Sequence, residues 1–218
     1  MPYFNILVET SENTVVTEYE PVKKRSDSYQ SEAELEQEFI RLLCEQGYEY
    51  LPIHTEKDLI ANLRKKLEEL NNYRFSDTEW EDFFKNAVAN PNEHIVEKTR
   101  KIQEDNVQVL TRDDGSSKNI TLIDKKNIHN NRLQVINQYV IGTEDGAKHD
   151  NRYDVTVLVN GLPLVHIELK RRGVAIREAF NQINRYQRDS FWAGCGLYEY
   201  IQIFVISNGT NTKYYSNS

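Results

Sequence analysis

The stretch Tyr153–Lys170, YDVTVLVNGLPLVHIELK, constrains the fold more than any other part of this 218-residue chain. It holds two apolar runs of strand length, and the Asn160-Gly161 pair between them is typical of a tight hairpin turn. The pattern therefore predicts two adjacent antiparallel strands. Asp154 lies at the start of the first strand, and Glu168 and Lys170 lie near the end of the second.

The three charged groups converge only if the pairing of these strands is irregular. Side chains alternate between the faces of a strand, so Glu168 and Lys170 project from the same face. A regular two-residue turn would place Asp154 on the opposite face. We therefore predict a connection of three or five residues, or a bulge near Pro163, which cannot donate to the ladder.

Two carboxylates and an amine on one sheet face suit metal-assisted hydrolysis. A hard cation such as Mg²⁺ prefers oxygen ligands, and a nearby ammonium can position an attacking water or help to deprotonate it. The alternative is that Asp154, Glu168 and Lys170 are edge charges on an ordinary hairpin.

A helix rich in basic residues is predicted directly after these strands, over residues 174–190. Gln182 and Tyr186 are four residues apart and share one of its faces, which Ala179 and Ile183 turn toward the sheet. An amide and a hydroxyl there can hold a ligand carboxylate or a phosphate oxygen. The alternative is helix–sheet packing with a polar tip.

Charge is distributed unevenly along the chain. The net charge is −7, and residues 32–105 hold 18 acidic and 10 basic side chains, whereas residues 168–188 hold six basic and two acidic ones. A local basic patch on an acidic protein can contact phosphates, although it can also be a solvated helix face. The candidate DNA contacts are Arg171, Arg172, Arg177, Arg185 and Arg188.

Composition predicts a folded cytoplasmic protein. A chain of this length forms one domain or two small ones. It has no apolar run near the ~20 residues needed to cross a membrane and no visible secretory signal. Its two cysteines, Cys44 and Cys195, fit a reducing compartment.

The first half of the chain is predicted to be mostly helical. Residues 1–30 are predicted to form an arm with strands at 4–8 and 14–19 and a polar linker at 21–30. The two strands either pair as an N-terminal hairpin or leave the arm loose. A capping box, Ser31 with Glu34, begins a helix that ends near Gly47. On pattern alone, Glu36 in this helix is a solvent-facing charge. Amphipathic patterns predict further helices at 56–71, 77–88 and 93–103.

The second half is predicted to be mostly strands. A hairpin is expected at 107–111 and 119–124, followed by strands at 133–141, 201–207 and 213–215. The order from residue 107 is therefore five strands, one helix and two strands. Residues 31–218 are expected to form one domain, with a helical region over 31–105 and a sheet core over 106–218.

These motifs resemble two nested groups of nucleases. Asp154, the Glu168-Leu169-Lys170 tripeptide and the Gln182/Tyr186 helix resemble the PD-(D/E)xK nuclease superfamily. The fuller strings at 151–173, 178–182 and 205–210 closely resemble the restriction (R, motor) subunit of type I restriction–modification enzymes. The likeness spans nearly the whole chain. Tyr153 departs from the superfamily name, which has Pro there, but that position is not a ligand.

The resemblance implies an α/β (α+β) fold, in which helices flank a mixed, restriction-endonuclease-like sheet of four or five strands, with an extra acidic helical region. It implies a Mg²⁺-dependent endonuclease that cuts double-stranded DNA away from the recognition site, after ATP-driven translocation by motor domains that follow. Methyltransferase and specificity subunits would be its partners. We find no phosphate-binding Gly-x-x-x-x-Gly-Lys-[Ser/Thr] loop here, so ATP is expected only in the full-length subunit.

The resemblance also implies a role for each site residue. The implied metal ligands are Asp154, Glu168 and the Leu169 carbonyl, and Lys170 would orient or activate the water. Glu36 matches a first-helix glutamate of some superfamily members, and Gln182 and Tyr186 would support catalysis or DNA contact.

Two rival interpretations remain. One is a non-catalytic module that binds DNA or docks a motor on the same scaffold, and the other is a small-molecule metallohydrolase.

Overall fold

A computed structural model describes residues 30–217 in full and, before them, the backbone of two strands. Strands β1 (Tyr3–Glu9) and β2 (Val15–Glu20) pair antiparallel, which confirms the predicted N-terminal hairpin. The turn between them and the predicted linker, apart from Gln30, lie outside the described residues.

The α-helices agree closely with the amphipathic patterns. A π-helical turn, Phe84–Val88, extends the third helix to the predicted end at residue 88. Among the described residues, no helix is both long and apolar enough to span a membrane. The helices are α1 (Glu32–Glu45), α2 (Glu56–Asn71), α3 (Asp77–Phe83), α4 (Ile95–Gln103) and α5 (Ile176–Asp189).

The predicted capping box at the start of α1 is confirmed. The Ser31 hydroxyl accepts a hydrogen bond from the Glu34 backbone N–H at 3.2 Å, and the Glu34 carboxylate accepts one from the Ser31 N–H at 2.8 Å. Such caps satisfy backbone donors that a helix end leaves unpaired and contribute about 1 kcal/mol. The local sequence therefore determines where α1 begins.

The remaining strands form a six-stranded mixed sheet and a separate hairpin. The sheet order is β10-β9-β8-β7-β6-β3, and β4 pairs only with β5. The β3/β6 and β8/β9 pairs are parallel and the others antiparallel. The strands are β3 (Glu49–Tyr50), β4 (Val107–Thr111), β5 (Ser117–Thr121), β6 (Leu133–Ile141), β7 (Asn151–Val159), β8 (Leu162–Leu169), β9 (Ile203–Ser207) and β10 (Thr212–Ser216).

The element order from residue 107 is confirmed, whereas the strand count of the sheet and some strand bounds differ from expectation. The sheet has six strands rather than four or five, because the two-residue strand β3 joins its edge. β5 ends at Thr121 rather than residue 124, and the next backbone N–H, of Leu122, bonds to the Asn106 carbonyl at 2.8 Å.

Helices cover both faces of the sheet. One face presents Val155 and Ile167 to α1, whose Leu35 and Phe39 pack on them. The other face packs against α5 and α2 in a larger hydrophobic cluster that also takes in α3, α4 and β9. The predicted helical region and the predicted sheet core therefore share one hydrophobic interior.

The turn between β7 and β8 is held against α2. Asn160 and Gly161 both adopt the left-handed conformation, with φ of 52° and 86°, as a two-residue hairpin turn requires. The Asn160 side chain accepts a hydrogen bond from the Arg132 N–H at 2.8 Å and donates one to the Leu122 carbonyl at 3.0 Å. The fixed turn sets the starting register of both strands.

A bulge in β8 then changes that register, as predicted. Leu158 pairs with Pro163, but the next pair is Val157 with Val165, so Leu164 is an extra residue on β8. Beyond the bulge, the register brings Asp154 opposite Glu168. The connection itself has two residues. The extra residue of the bulge places Asp154 and Glu168 on the same face, as their convergence requires.

We predict that replacing Gly161 with Ala destabilises the chain more than the same change at Gly115. Both glycines have positive φ, which costs a non-glycine residue about 1–2 kcal/mol. At Gly161 the added Cβ would also lie 2.6 Å from the Cα of buried Leu63, whereas at Gly115 it meets nothing within 4 Å. Overpacking adds about 1–3 kcal/mol, so we expect losses of about 3 and about 1 kcal/mol in urea unfolding. Equal losses would show that the turn is not pressed against α2.

Candidate active site

The three predicted charged groups come together where β7 and β8 meet beyond the bulge. Glu168 is fully buried, and its Oε1 lies 3.1 Å from the Lys170 Nζ. The Asp154 Oδ2 accepts a hydrogen bond from the Leu169 backbone N–H at 2.9 Å. This side-chain bond lies just past Val155–Ile167, the last backbone pair recorded between the strands. Asp154 thereby ties the two strands together at the site.

An interruption in β7 lets Asp154 point toward β8. Tyr153 and Thr156 are three residues apart, and strict alternation would place them on opposite faces. Both nevertheless contact Tyr198, Tyr153 with ring centroids 4.6 Å apart and Thr156 through a 3.2 Å hydroxyl contact. The alternation therefore fails between them, at Asp154.

Strand β6, which pairs with β7, is distorted beside Asp154. Gln138 of β6 has φ of 53°, which is uncommon for a non-glycine residue and costs about 1–3 kcal/mol. The β6/β7 ladder pairs Asn137 with Val155 and Tyr139 with Tyr153, and Gln138 and Asp154 stand unpaired between them. The conformational cost at Gln138 accompanies the release of Asp154 from the ladder.

Glu36 reaches the site through this distortion. Its carboxylate accepts hydrogen bonds from the side-chain amides of Asn137 and Gln138. Glu36 is buried, so the pattern-based expectation of a solvent-facing charge is wrong. The cause is that α1 packs directly on the sheet and turns this position inward. Burial raises the pKa of Glu36, and the neighbouring Asp154 charge adds to the effect.

Gln182 and Tyr186 of α5 also meet, and α5 packs on the sheet through this face, as expected. The Tyr186 hydroxyl accepts a hydrogen bond from the Gln182 amide and donates one to the Arg152 carbonyl of β7 at 2.9 Å. Burial, followed by the Glu168 charge, raises the pKa of Tyr186 well above its usual value. The hydroxyl therefore stays protonated and serves as a hydrogen-bond donor.

The surroundings of the two carboxylates in the cluster disfavour their charged forms. Burial, followed by the charge of Glu168, raises the pKa of Asp154 to about 7. Burial also raises the pKa of Glu168 to about 7, although Lys170 opposes the shift. Burial alone would lower the pKa of Lys170, but the Glu168 and Asp154 charges outweigh it and raise that pKa. A cation between the carboxylates would favour their charged forms and lower both pKa values.

The donor set fits Mg²⁺. The Glu168 Oε2 is buried and has no hydrogen-bond partner, so one carboxylate oxygen is available to a ligand. The described part of the chain holds no group of three or more His, Cys, Asp or Glu side chains placed so that they could hold a metal ion. The two carboxylates of Asp154 and Glu168 suit an ion that keeps several of its waters.

The five candidate arginines are all exposed. Arg171 and Arg172 directly follow the cluster residue Lys170. The Arg185 guanidinium lies over the Tyr186 ring, 5.4 Å from its centroid, and the Arg188 Nε lies 3.3 Å from Asp189. Arg171, Arg172 and Arg185 therefore adjoin the site, whereas Arg188 is paired with Asp189.

Two residues near the cluster received no functional role from sequence reasoning. His166 is fully buried, and its Nε2 lies 3.5 Å from the Glu168 Oε2. Burial lowers the pKa of His166 to about 4. The i, i+2 spacing to Glu168 could have marked His166, whereas nothing in the residue type marks the positive φ of Gln138.

A cavity of about 800 Å³ lies at the other end of the β7/β8 pair. It is lined by Glu49, Lys66, Arg132 and Val159, among others, and includes none of the cluster residues. The carboxylate cluster and this cavity are therefore separate features.

Comparison with known proteins identifies relatives of this chain. The model of the family described as "Type I restriction enzyme R protein N terminus" matches residues 29–218. The EcoprrI type I restriction enzyme endonuclease subunit of Escherichia coli is 50% identical over 213 residues, which cover 97% of this chain and 67% of that protein. The SauMW2ORF169P endonuclease subunit of Staphylococcus aureus (strain MW2) is 40% identical over 192 residues.

The relatives differ greatly in length from this chain. The match covers 88% of this chain and 20% of the S. aureus protein. The HindI endonuclease subunit of Haemophilus influenzae is 29% identical over 201 residues, covering 82% of this chain and 18% of that protein. This chain therefore spans about two thirds of the E. coli relative and about a fifth of the other two.

We predict that Asp154→Asn stabilises the metal-free chain at high pH. The folded-state pKa of Asp154, about 7, lies above its ordinary value of 3.8, so folding favours the protonated form. The parent chain should therefore lose stability as pH rises from about 4 through 7, and the amide removes part of that loss. In EDTA, we expect a gain of at least about 1 kcal/mol at pH 8 and a smaller one at pH 5, from urea unfolding.

The control is Asp82→Asn on α3, which removes the same charge from an exposed position. A gain for Asp154→Asn that is equal at both pH values would contradict the raised pKa.

Proposed function

Since the chain belongs to the type I restriction enzyme R protein N-terminus family, we propose that it is the endonuclease part of such a subunit. It would hydrolyse phosphodiester bonds of double-stranded DNA with Mg²⁺. The observation that carries this proposal is the convergence of Asp154, Glu168 and Lys170 beyond the bulge in β8. The cluster also supports membership of the PD-(D/E)xK superfamily.

Asp154, Glu168 and the Leu169 carbonyl would hold Mg²⁺. When bound, the ion supplies Lewis-acid polarisation of a phosphate oxygen and lowers the pKa of a water. Lys170 is a cation 3.1 Å from Glu168, placed to orient that water or a phosphate oxygen and to offset negative charge that develops on the phosphate. The Asp154–Leu169 hydrogen bond keeps the two carboxylates in register.

The surrounding polar groups would support this centre. Gln182 and Tyr186 would hold a phosphate oxygen or orient strand β7, which carries Asp154, since the Tyr186 hydroxyl donates a hydrogen bond to the Arg152 carbonyl of that strand. Glu36 would act through Gln138, opposite Asp154. The exposed arginines would bind the phosphate backbone, which gives affinity without sequence choice.

The longer relatives point to a larger assembly. We propose that ATP-driven motor domains move DNA to this nuclease, so that cleavage occurs away from the recognition site. Sequence choice and methylation would belong to separate specificity and methyltransferase subunits. In this proposal the chain itself reads no bases, because phosphate contacts alone explain its basic surface.

We predict that Lys170→Ala abolishes DNA cleavage by the full assembly and leaves ATP hydrolysis intact. Loss of a charge that stabilises the transition state typically costs about 10²–10³ in rate. The measurement is linearisation of a plasmid that carries a recognition site, with phosphate release from ATP recorded in parallel. Lys213→Ala, which removes an exposed lysine from β10, is the matched control and should cut normally.

The outcome separates the nuclease from a non-catalytic docking module. Cleavage that survives Lys170→Ala would show that the site assignment is wrong. Loss of both activities would indicate that the residue supports assembly rather than hydrolysis.

We predict that neutralising Arg185 makes DNA binding less dependent on salt. Each phosphate contact that is lost lowers the slope of log affinity against log salt by about 1. The measurement is fluorescence anisotropy of a labelled duplex over a salt series, with Arg185→Ala compared against Arg74→Ala from the acidic helical region. A small-molecule metallohydrolase would show no salt-dependent duplex binding in either variant.

A further inference from the structure

Two buried polar groups without hydrogen-bond partners lie side by side at the centre of the site. They are the imidazole of His166, with both ring nitrogens unpaired, and the Oε2 of Glu168. The shortest approach between them is 3.5 Å, from Nε2 to Oε2. Buried polar groups are nearly always hydrogen-bonded, so an adjacent unpaired pair calls for a physical reason.

Apart from the backbone of Val155, the surroundings of the His166 ring are aromatic. The rings of Tyr153, Tyr186, Phe191 and Phe204 surround the imidazole edge-on, with centroids 5.5 to 6.4 Å away. This aromatic cage fixes the plane of the imidazole and directs Nε2 at the carboxylate. The cage therefore holds the imidazole in place against Glu168.

Hydrogen-bond chemistry decides which proton the ring carries there. A neutral imidazole has one N–H donor and one acceptor nitrogen, and an ionised carboxylate only accepts. A proton on Nδ1 would leave two lone-pair atoms, Nε2 and Oε2, facing each other. A proton on Nε2 converts the same approach into a donor–acceptor pair.

We propose that His166 is a positioning residue that donates its Nε2–H to the Glu168 Oε2 and so holds that carboxylate in the orientation that binds the divalent cation. The inference rests on the proposed function, because it assigns a role toward the cation proposed there. Glu168 would then be held on both oxygens, by Lys170 at Oε1 and by His166 at Oε2. The lone pairs that these two donors leave free would hold the cation.

A purely structural histidine would behave differently. An apolar residue of similar size in the aromatic cage removes two unpaired buried nitrogens and gains apolar contacts, so it should not reduce stability. A positioning role predicts that the same replacement weakens cation binding, because partners that orient metal ligands typically contribute 10- to 100-fold in affinity. Stability and cation affinity should therefore change in different directions.

The test is Mn²⁺ binding to the 218-residue chain at pH 8, measured from the electron paramagnetic resonance signal of free Mn²⁺, with urea unfolding in EDTA as a second readout. We expect His166→Leu to bind Mn²⁺ about 10- to 100-fold more weakly than the unaltered chain without loss of stability. His166→Gln, whose amide nitrogen can replace the Nε2–H donor, should bind within about threefold of the unaltered chain. If His166→Leu does not fold, His166→Met provides the same apolar replacement.

Three outcomes would overturn the inference. Parental Mn²⁺ affinity in His166→Leu or His166→Met would show that His166 does not position Glu168. Equal weakening in His166→Gln would show that the cage requires the imidazole shape rather than its N–H. Absence of Mn²⁺ binding in the unaltered chain would overturn the proposed cofactor, and this inference with it, whereas parental binding in the apolar variants leaves the proposed function standing.

Discussion

The pairing register of β7 and β8 is the constraint on which the site depends. Because side chains alternate along a strand, a single residue more or less reverses which groups face each other. Gly161, pressed against Leu63 of α2, holds the turn at two residues, and the extra Leu164 shifts the register by one. Asp154 comes opposite Glu168 only because both features are present. The chemistry at one end of the hairpin therefore rests on packing at the other.

Local sequence predicted much of this arrangement because the deciding signals lie within a few residues. The Ser31/Glu34 cap, the period of α2 and the alternation of β6 each report on neighbouring positions, and their bounds agree with the structure. The bulge could also be predicted, since only an odd count lets the carboxylates meet. In that case the prediction came from the requirement that the carboxylates meet, and not from secondary-structure propensity.

The features that escaped prediction depend on contacts between distant segments. β3 has two residues and exists because it pairs with β6, far along the chain. Glu36 is buried because α1 lies on the sheet, which helical periodicity alone does not specify. The positive φ of Gln138 has no residue-type signal, because its side chain is held by Glu36 across more than a hundred positions. Tertiary context decides each of these cases.

The site concentrates features that oppose folding, and their grouping argues for function. Gln138 is strained, the half-buried Asp154 lies beside the fully buried Glu168, and the ring nitrogens of His166 lack hydrogen-bond partners in an aromatic cage. Each alone could be an accident of packing, yet all lie at the meeting point of β6, β7 and β8. A cation bound between the carboxylates would offset their repulsion. The destabilising features are then those that prepare the chain to bind that cation.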